Sequence, residues 1–166
     1  MRVLHVGCSR SPLPEWFPDG AIETRLDVDP EVNPDIVASM TDLGDIGQYE
    51  SVFASHCLEH LFPHEVPIAL QEMRRVLVEG GSAILYVPDL EGLTPTQEVL
   101  YEVTLGPITA HDLFYGHAES VKKNPFMAHK CGFTAETLDK ALKDAGFNRT
   151  KTIRHSHWNL MGVGIK

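Results

Sequence analysis

Residues 49–89, YESVFASHCLEHLFPHEVPIALQEMRRVLVEGGSAILYVPD, restrict the chain to a narrow set of folds. The short apolar run from Ser51 to Ser55 reads as a buried strand ending at His56-Cys57. Val66, Ala69, Leu70, Met73, Val76 and Leu77 then recur at the spacing of one helical face. Gly80-Gly81 is read as the stop of that helix, and 82–87 as a second buried strand. Two buried strands joined by an amphipathic helix are a parallel pair with its crossover.

The flanking sequence extends this unit in both directions. Val3 to Val6 predicts a first strand, turning at Gly7. Glu23 to Val28 predicts a second, closed by Asp29-Pro30, and Asp35 to Ser39 a short third. The link from Cys8 to Ile22 carries Pro12, Pro14 and Pro18, so its crossover helix can be a turn or two at most. A last helix is expected at about 135–145, capped by Thr134 and ended by Gly146, followed by closing strands at 148–154 and 159–165. The pattern is α/β: a doubly wound, Rossmann-like, mostly parallel sheet. A chain of 166 residues is most simply one domain, 1–166. Within it, 91–133 is a long connection of weak periodicity, read as a helix at 96–105 followed by ordered loop. A connection of that length in a compact domain points to a lid or substrate-binding insertion.

Two loops at strand ends carry chemistry. After strand one comes Gly7-Cys8-Ser9-Arg10-Ser11-Pro12, where a dinucleotide site would place glycines at the positions of Ser9 and Pro12. Their absence argues against NAD or FAD. Asp27 stands at the end of strand two, about 20 residues beyond Gly7, where a carboxylate can accept the ribose hydroxyls of an adenosyl cofactor. Asp29 is the alternate. His56, His60 and His64 are each four apart and invite a metal reading, but Pro63 and the strand ending at Ser55 break any continuous helix through them. The expectation is no metal.

The segments xVFASHCLEHL and ALQEMRRVLVEGGSAILYVPD resemble the second half of a class I S-adenosylmethionine (SAM)-dependent methyltransferase of the type 11 kind. The resemblance covers residues 2–89 and, more loosely, GFTAETLDKALKDAGF at 133–148. It implies a seven-stranded sheet whose last strand is antiparallel, with SAM across the carboxyl ends of strands one, two and four. Carried over position by position, it assigns cofactor contacts to Gly7, Cys8, Ser9, Asp27, Ser55 and His56. Met40 and Asp42, in the stretch after strand three, would face the adenine. His5 departs from the pattern, since relatives often carry an acidic residue two before the glycine. The implied reaction is methyl transfer to an oxygen or nitrogen of a small or saccharide-type acceptor. The alternative is a noncatalytic SAM- or nucleoside-binding domain serving as a partner subunit.

Charge and composition limit the partners. With 23 acidic against 14 basic residues and a net charge of −9, the chain lacks the cationic excess that replaces phosphate counterions, which argues against nucleic acid. No apolar run approaches the roughly 20 residues needed to span a bilayer. The N-terminus has no signal-peptide profile and Cys8, Cys57 and Cys131 suggest no disulfide framework, so a cytoplasmic protein is expected. Three of the nine histidines fall in the insertion. An acceptor must lose its proton during transfer, and imidazole suits that task. His111, Tyr115 and His129 are therefore the expected acceptor-facing groups, with Asp112 as an orienting partner. A homodimer is the other way to cover the mouth.

Overall fold

The computed structural model describes residues 1–104, 106–155 and 158–166. Its strands are β1 (Arg2–Val6), β2 (Ile22–Asp27), β3 (Ile36–Val37), β4 (Tyr49–Ser55), β5 (Leu77–Pro88), β6 (Val99–Val103), β7 (Gly106–Thr109), β8 (Arg149–His155) and β9 (Asn159–Ile165). Its helices are α1 (Val66–Arg75), α2 (Ala110–Tyr115), α3 (Ala118–Lys123) and α4 (Ala135–Asp144). Seven strands form one sheet in the order β3-β2-β1-β4-β5-β9-β8, and β6 and β7 form a separate hairpin. The first five sheet strands pair in parallel, whereas β9 runs antiparallel to both β5 and β8. The expected seven-stranded, mostly parallel sheet with an antiparallel last strand is the one found. The strand order reverses between β1 and β4, and a crevice opens there beyond the strands' carboxyl ends.

Burial follows from the sequence pattern. The apolar face read into the crossover helix, Val66, Ala69, Leu70 and Met73, is buried against the sheet. Leu138 and Leu142 of α4 pack into the same core. Removing a fully buried side chain such as Leu70 or Leu138 would cost about 2–5 kcal/mol. Thr134 caps α4 by accepting from the Thr137 amide, with the reciprocal bond from Thr134 N–H to Thr137 Oγ1 completing a capping box. β9 alternates half-buried and buried residues, and its buried Gly162 and Gly164 let α4 and Phe147 lie on the strand. A Cβ at Gly162 would sit 2.9 Å from Leu138, and one at Gly164 would sit 2.6 Å from Phe147. On the other sheet face no helix covers β1 and β4 among the described residues. Phe17, with Leu13 and Ala21, packs there on Val3 and Phe53.

Several boundaries differ from expectation for identifiable reasons. Residues 96–105 do not form a helix: Val99–Val103 is a strand, paired antiparallel with β7 through Tyr101↔Ile108 and Val103↔Gly106. Its β-branched and aromatic residues favour a pleated surface, and a partner strand lies only a few residues on. Leu105 itself lies outside the described residues. Gly80-Gly81 does not stop α1, which ends at Arg75 with Val76 as its cap. The glycines fall inside β5, where the pairing with β4 shifts register between Tyr49 and Ser51 and Gly80 takes a positive φ. The third strand is shortened to Ile36–Val37, and the proline-rich link 8–21 contains turns but no helix. Among the described residues, no helix is long and apolar enough to cross a membrane.

Candidate functional site

A cavity of about 660 Å³ opens at the carboxyl ends of β1, β2 and β4, within the size range of small-molecule sites. Its floor is the turn after β1. Gly7 has φ +63°, and a Cβ there would lie 2.6 Å from the Cβ of Cys57. Only glycine meets both demands. Cys8 follows, buried, with its amide donating to Leu26 O at 3.2 Å. Ser9 takes φ +45°, a conformation that non-glycine residues rarely hold away from functional sites. Arg25 fixes the outer part of this loop by donating to the carbonyls of Ser9 and Ser11 at 2.7 and 2.8 Å.

Asp27 closes β2 and stands at the cavity wall. One of its carboxylate oxygens accepts from Ser9 N–H at 2.8 Å and the other from Asp29 N–H at 3.0 Å. The backbone thus presents the carboxylate in one orientation while each oxygen keeps acceptor capacity. Asp29 also lines the cavity, but one of its carboxylate oxygens accepts from the Glu31 amide and caps the turn 30–32. Ala38, Ser39 and Met40 provide a mostly apolar wall after β3. Asp42 does not share it. Its amide bonds back to Ser39 O, and it borders a separate shallow groove with Gly44, Gln71 and Arg75. His5 lines the cavity from β1, with Nδ1 2.7 Å from Glu23 Oε1. Burial lowers its pKa, and the bond to Glu23 only partly opposes this.

The opposite wall begins at the end of β4. Ser55 and His56 line it, and His56 takes φ +51°. Glu59, one turn on, is 1% exposed. His56 Nδ1 approaches its carboxylate to 3.3 Å, yet neither Glu59 oxygen has a partner in hydrogen-bond geometry. Burial pushes the Glu59 pKa up, but His56, His60 and His129 together outweigh this and hold the carboxyl below its ordinary range. His60 also lines the cavity, and its ring meets that of His129 at 5.0 Å. Asn124, Phe126, Met127 and Lys130 complete this wall, so the carboxyl-terminal part of the 91–133 segment borders the cavity. Lys130 and Cys131 donate their amides to Glu59 O at 2.8 and 3.2 Å, which ties that part to the turn after β4. The cysteine thiols of the site are not poised as nucleophiles. Burial raises Cys8 and Cys57, and Cys131 is pushed to about 11 by burial and the Glu59 charge.

The structure therefore brings Gly7, Cys8, Ser9, Asp27, Met40, Ser55 and His56 to one cavity and leaves Asp42 out. None of His111, Tyr115 and His129 lines it. His111 and Tyr115 lie one turn apart on α2 and contact each other, rings 4.7 Å apart. Asp112 accepts from the amide and hydroxyl of Thr109 in a capping box, so it serves the helix start and orients no base. His129 sits directly behind the wall, against His60. His64 stacks on Phe62 instead of joining His56 and His60. Sequence reasoning missed His5, Phe53, His60 and Lys130 as lining residues, and Glu59 as a buried charge. The available signal was an acidic residue framed in sequence by His56 and His60.

Comparison with known proteins agrees with this geometry. Residues 4–85 match the family model described as a methyltransferase domain. No curated protein matches the sequence. Among solved structures, a SAM-dependent methyltransferase from Archaeoglobus fulgidus superposes with TM-score 0.67 at 17% identity, covering 99% of this chain and 86% of that one. The 1,6-didemethyltoxoflavin-N1-methyltransferase of Burkholderia thailandensis, solved with bound 1,6-didemethyltoxoflavin and S-adenosylhomocysteine (SAH), gives 0.64 at 14% identity, covering 99% and 70%. PigF with SAH gives 0.62 at 17% identity, covering 99% of this chain but only 50% of PigF. At such identities the likeness is one of fold.

Proposed function

We propose that the chain is a SAM-using methyltransferase domain of the class I fold, and that it methylates an oxygen or nitrogen of a small acceptor, of which a saccharide is one class. The observation that carries this reading is Asp27: a carboxylate held by two backbone amides on the wall of the cavity at the sheet's switch point. The residues present fit an adenosyl cofactor better than a dinucleotide. The Ser9 amide, which a pyrophosphate would need, is already committed to Asp27, and no second glycine opens the loop. Gly7, Cys8 and Ser9 would underlie the cofactor, Asp27 would take its ribose hydroxyls, and Met40 would lie along its base.

When bound, the cofactor supplies a methyl group on a positively charged sulfur, and transfer leaves a neutral thioether and frees the acceptor's proton. The chain's part is to orient the acceptor, exclude water and receive that proton. His56 is suited to the last task. Its ring is 45% exposed and lines the cavity, and the buried Glu59 carboxylate 3.3 Å from Nδ1 would fix its orientation. His56, His60 and Lys130 share the cavity with the cofactor residues, which supports catalysis over a binding-only role. The 91–133 segment serves as the substrate-side insertion through its residues 124–130, within a single domain 1–166. His129 keeps a part behind the wall, whereas His111 and Tyr115 are assigned none.

The test is thermal-shift screening and calorimetry with SAM, SAH and NAD. The expected result is stabilisation by SAM and SAH but not by NAD. Stabilisation by NAD alone would remove the reading.

A further inference from the structure

The mechanism uses Glu59 only to orient His56 and leaves the grouping of Glu59 with His60 and His129 behind that wall without a purpose. One oxygen of Glu59, one ring nitrogen of His60 and one of His129 all lie within 4.8 Å of one another. Both imidazoles are oriented by carbonyl oxygens: His60 Nδ1 lies 3.2 Å from Ala128 O, and His129 Nδ1 lies 2.9 Å from Leu113 O. A carbonyl can only accept, so each Nδ1 must carry the hydrogen. In the neutral ring that leaves Nε2 as a free lone pair. Glu59 adds a carboxylate that is 1% exposed and has no hydrogen-bond partner for either oxygen. The surrounding histidines offset the burial of this charge, yet both carboxylate oxygens stay without a hydrogen bond in good geometry, and two imidazoles whose Nδ1 is already engaged stand beside them. Imidazoles fixed by carbonyls on their far nitrogen are the outer-shell arrangement of metal-binding histidines.

We propose that Glu59, His60 and His129 bind one first-row divalent metal ion at the cavity wall. Two imidazoles and one carboxylate form a donor set that suits zinc, iron or manganese better than the all-oxygen shells of magnesium or calcium. His60 lines the cavity while Glu59 and His129 lie behind it, so the positions left open on the metal face the cavity. There an acceptor hydroxyl could coordinate and be made more acidic. That role rests on the methyl-transfer reading, whereas the site itself does not. The three ligands come from the turn after β4 and the end of the 91–133 segment, which explains why helical spacing in the sequence pointed to His64 instead.

The test loads the full chain, freed of metal by chelation, separately with Zn²⁺, Mn²⁺ and Mg²⁺. Bound metal is then counted by mass spectrometry after dialysis, and affinity is measured by calorimetry. One equivalent of Zn²⁺ or Mn²⁺ is expected, with Mg²⁺ washed out. Glu59→Gln and His129→Gln should each weaken binding by about tenfold to a hundredfold or more. His64→Gln, in the same stretch but stacked on Phe62, should leave it unchanged. His60→Gln stands in should Glu59→Gln fail to fold; cooperative thermal unfolding without ligand reports the folding of every variant, and a SAH thermal shift is read in parallel. Less than a fifth of an equivalent in the wild type, or unchanged affinity in both ligand variants, overturns the site. A SAH shift without retained metal overturns the site but spares the methyl-transfer reading. Retained metal without a SAH shift supports the site and sinks that reading instead.

Discussion

Gly7→Ala tests whether the turn after β1 is as constrained as its geometry requires. Two separate costs arise. The backbone at φ +63° costs an L-residue roughly 1–2 kcal/mol. The new methyl would stand 2.6 Å from Cys57 Cβ and 3.0 Å from its Sγ, against a buried side chain. Overpacking of that kind costs about 1–3 kcal/mol. The sum is about 2–5 kcal/mol, and at roughly 2–4 °C per kcal/mol for a chain of this size the Tm should fall by about 4–20 °C. Urea unfolding of four proteins separates the terms: wild type, Gly7→Ala, Cys57→Gly and the double variant. Removing the Cys57 side chain relieves the clash but not the backbone strain. The double variant should therefore show a favourable coupling of about 1–3 kcal/mol and retain about 1–2 kcal/mol of the Gly7→Ala cost. A loss below about 0.5 kcal/mol in Gly7→Ala, or no coupling in the cycle, would refute the reasoning.

Three further outcomes are expected. Asp27→Asn should weaken SAH binding by about 1–3 kcal/mol, read by calorimetry, because an amide cannot accept from both Ser9 and Asp29 while holding the ribose; wild-type affinity would take Asp27 out of the site. Burial lowers the His5 pKa, with Glu23 and Asp27 opposing it and Arg25 reinforcing it, so between the unfolded value of about 6.5 and the lower folded value the unfolded chain binds more protons. Stability should thus be full above pH 6.5 and decline as pH falls below it, and His5→Gln should flatten that part of the urea-midpoint profile; an unchanged slope would exclude His5 as its source. Thr109→Ala, which breaks the α2 capping box, should cost about 1 kcal/mol and speed amide exchange across 110–115, while SAH affinity stays unchanged; a large loss of SAH binding would show that α2 belongs to the cofactor site after all.

The parts of this molecule legible in the sequence are those set by local periodicity. The buried faces of α1 and α4, the central strands β1 and β4, and the glycine turn at Gly7 follow from spacing and from what each residue type tolerates. Asp27 was readable because its distance from Gly7 is imposed by one strand–crossover–strand repeat. The 96–105 stretch was misread because Val99, Tyr101 and Val103 take their conformation from pairing with 106–109, which no single-segment period reports. His111 and Tyr115 were misplaced for a related reason. Their residue types suited the chemistry, but which way α2 lies is decided by contacts such as His111 N–H to Thr96 O. Glu59 was passed over because only the assembled fold buries it. Its letters read equally well as the exposed start of a helix.

The amides of Lys130 and Cys131, both bonded to the Glu59 carbonyl, have a mechanical consequence. They join the strand end that would hold the cofactor to the segment that would hold the acceptor, at a single peptide group. A shift of one wall that keeps these two bonds must carry the other. A molecule that rigidifies one side would already meet part of the ordering cost on the other, so binding on the two sides is expected to be mutually reinforcing, by the same factor in each direction.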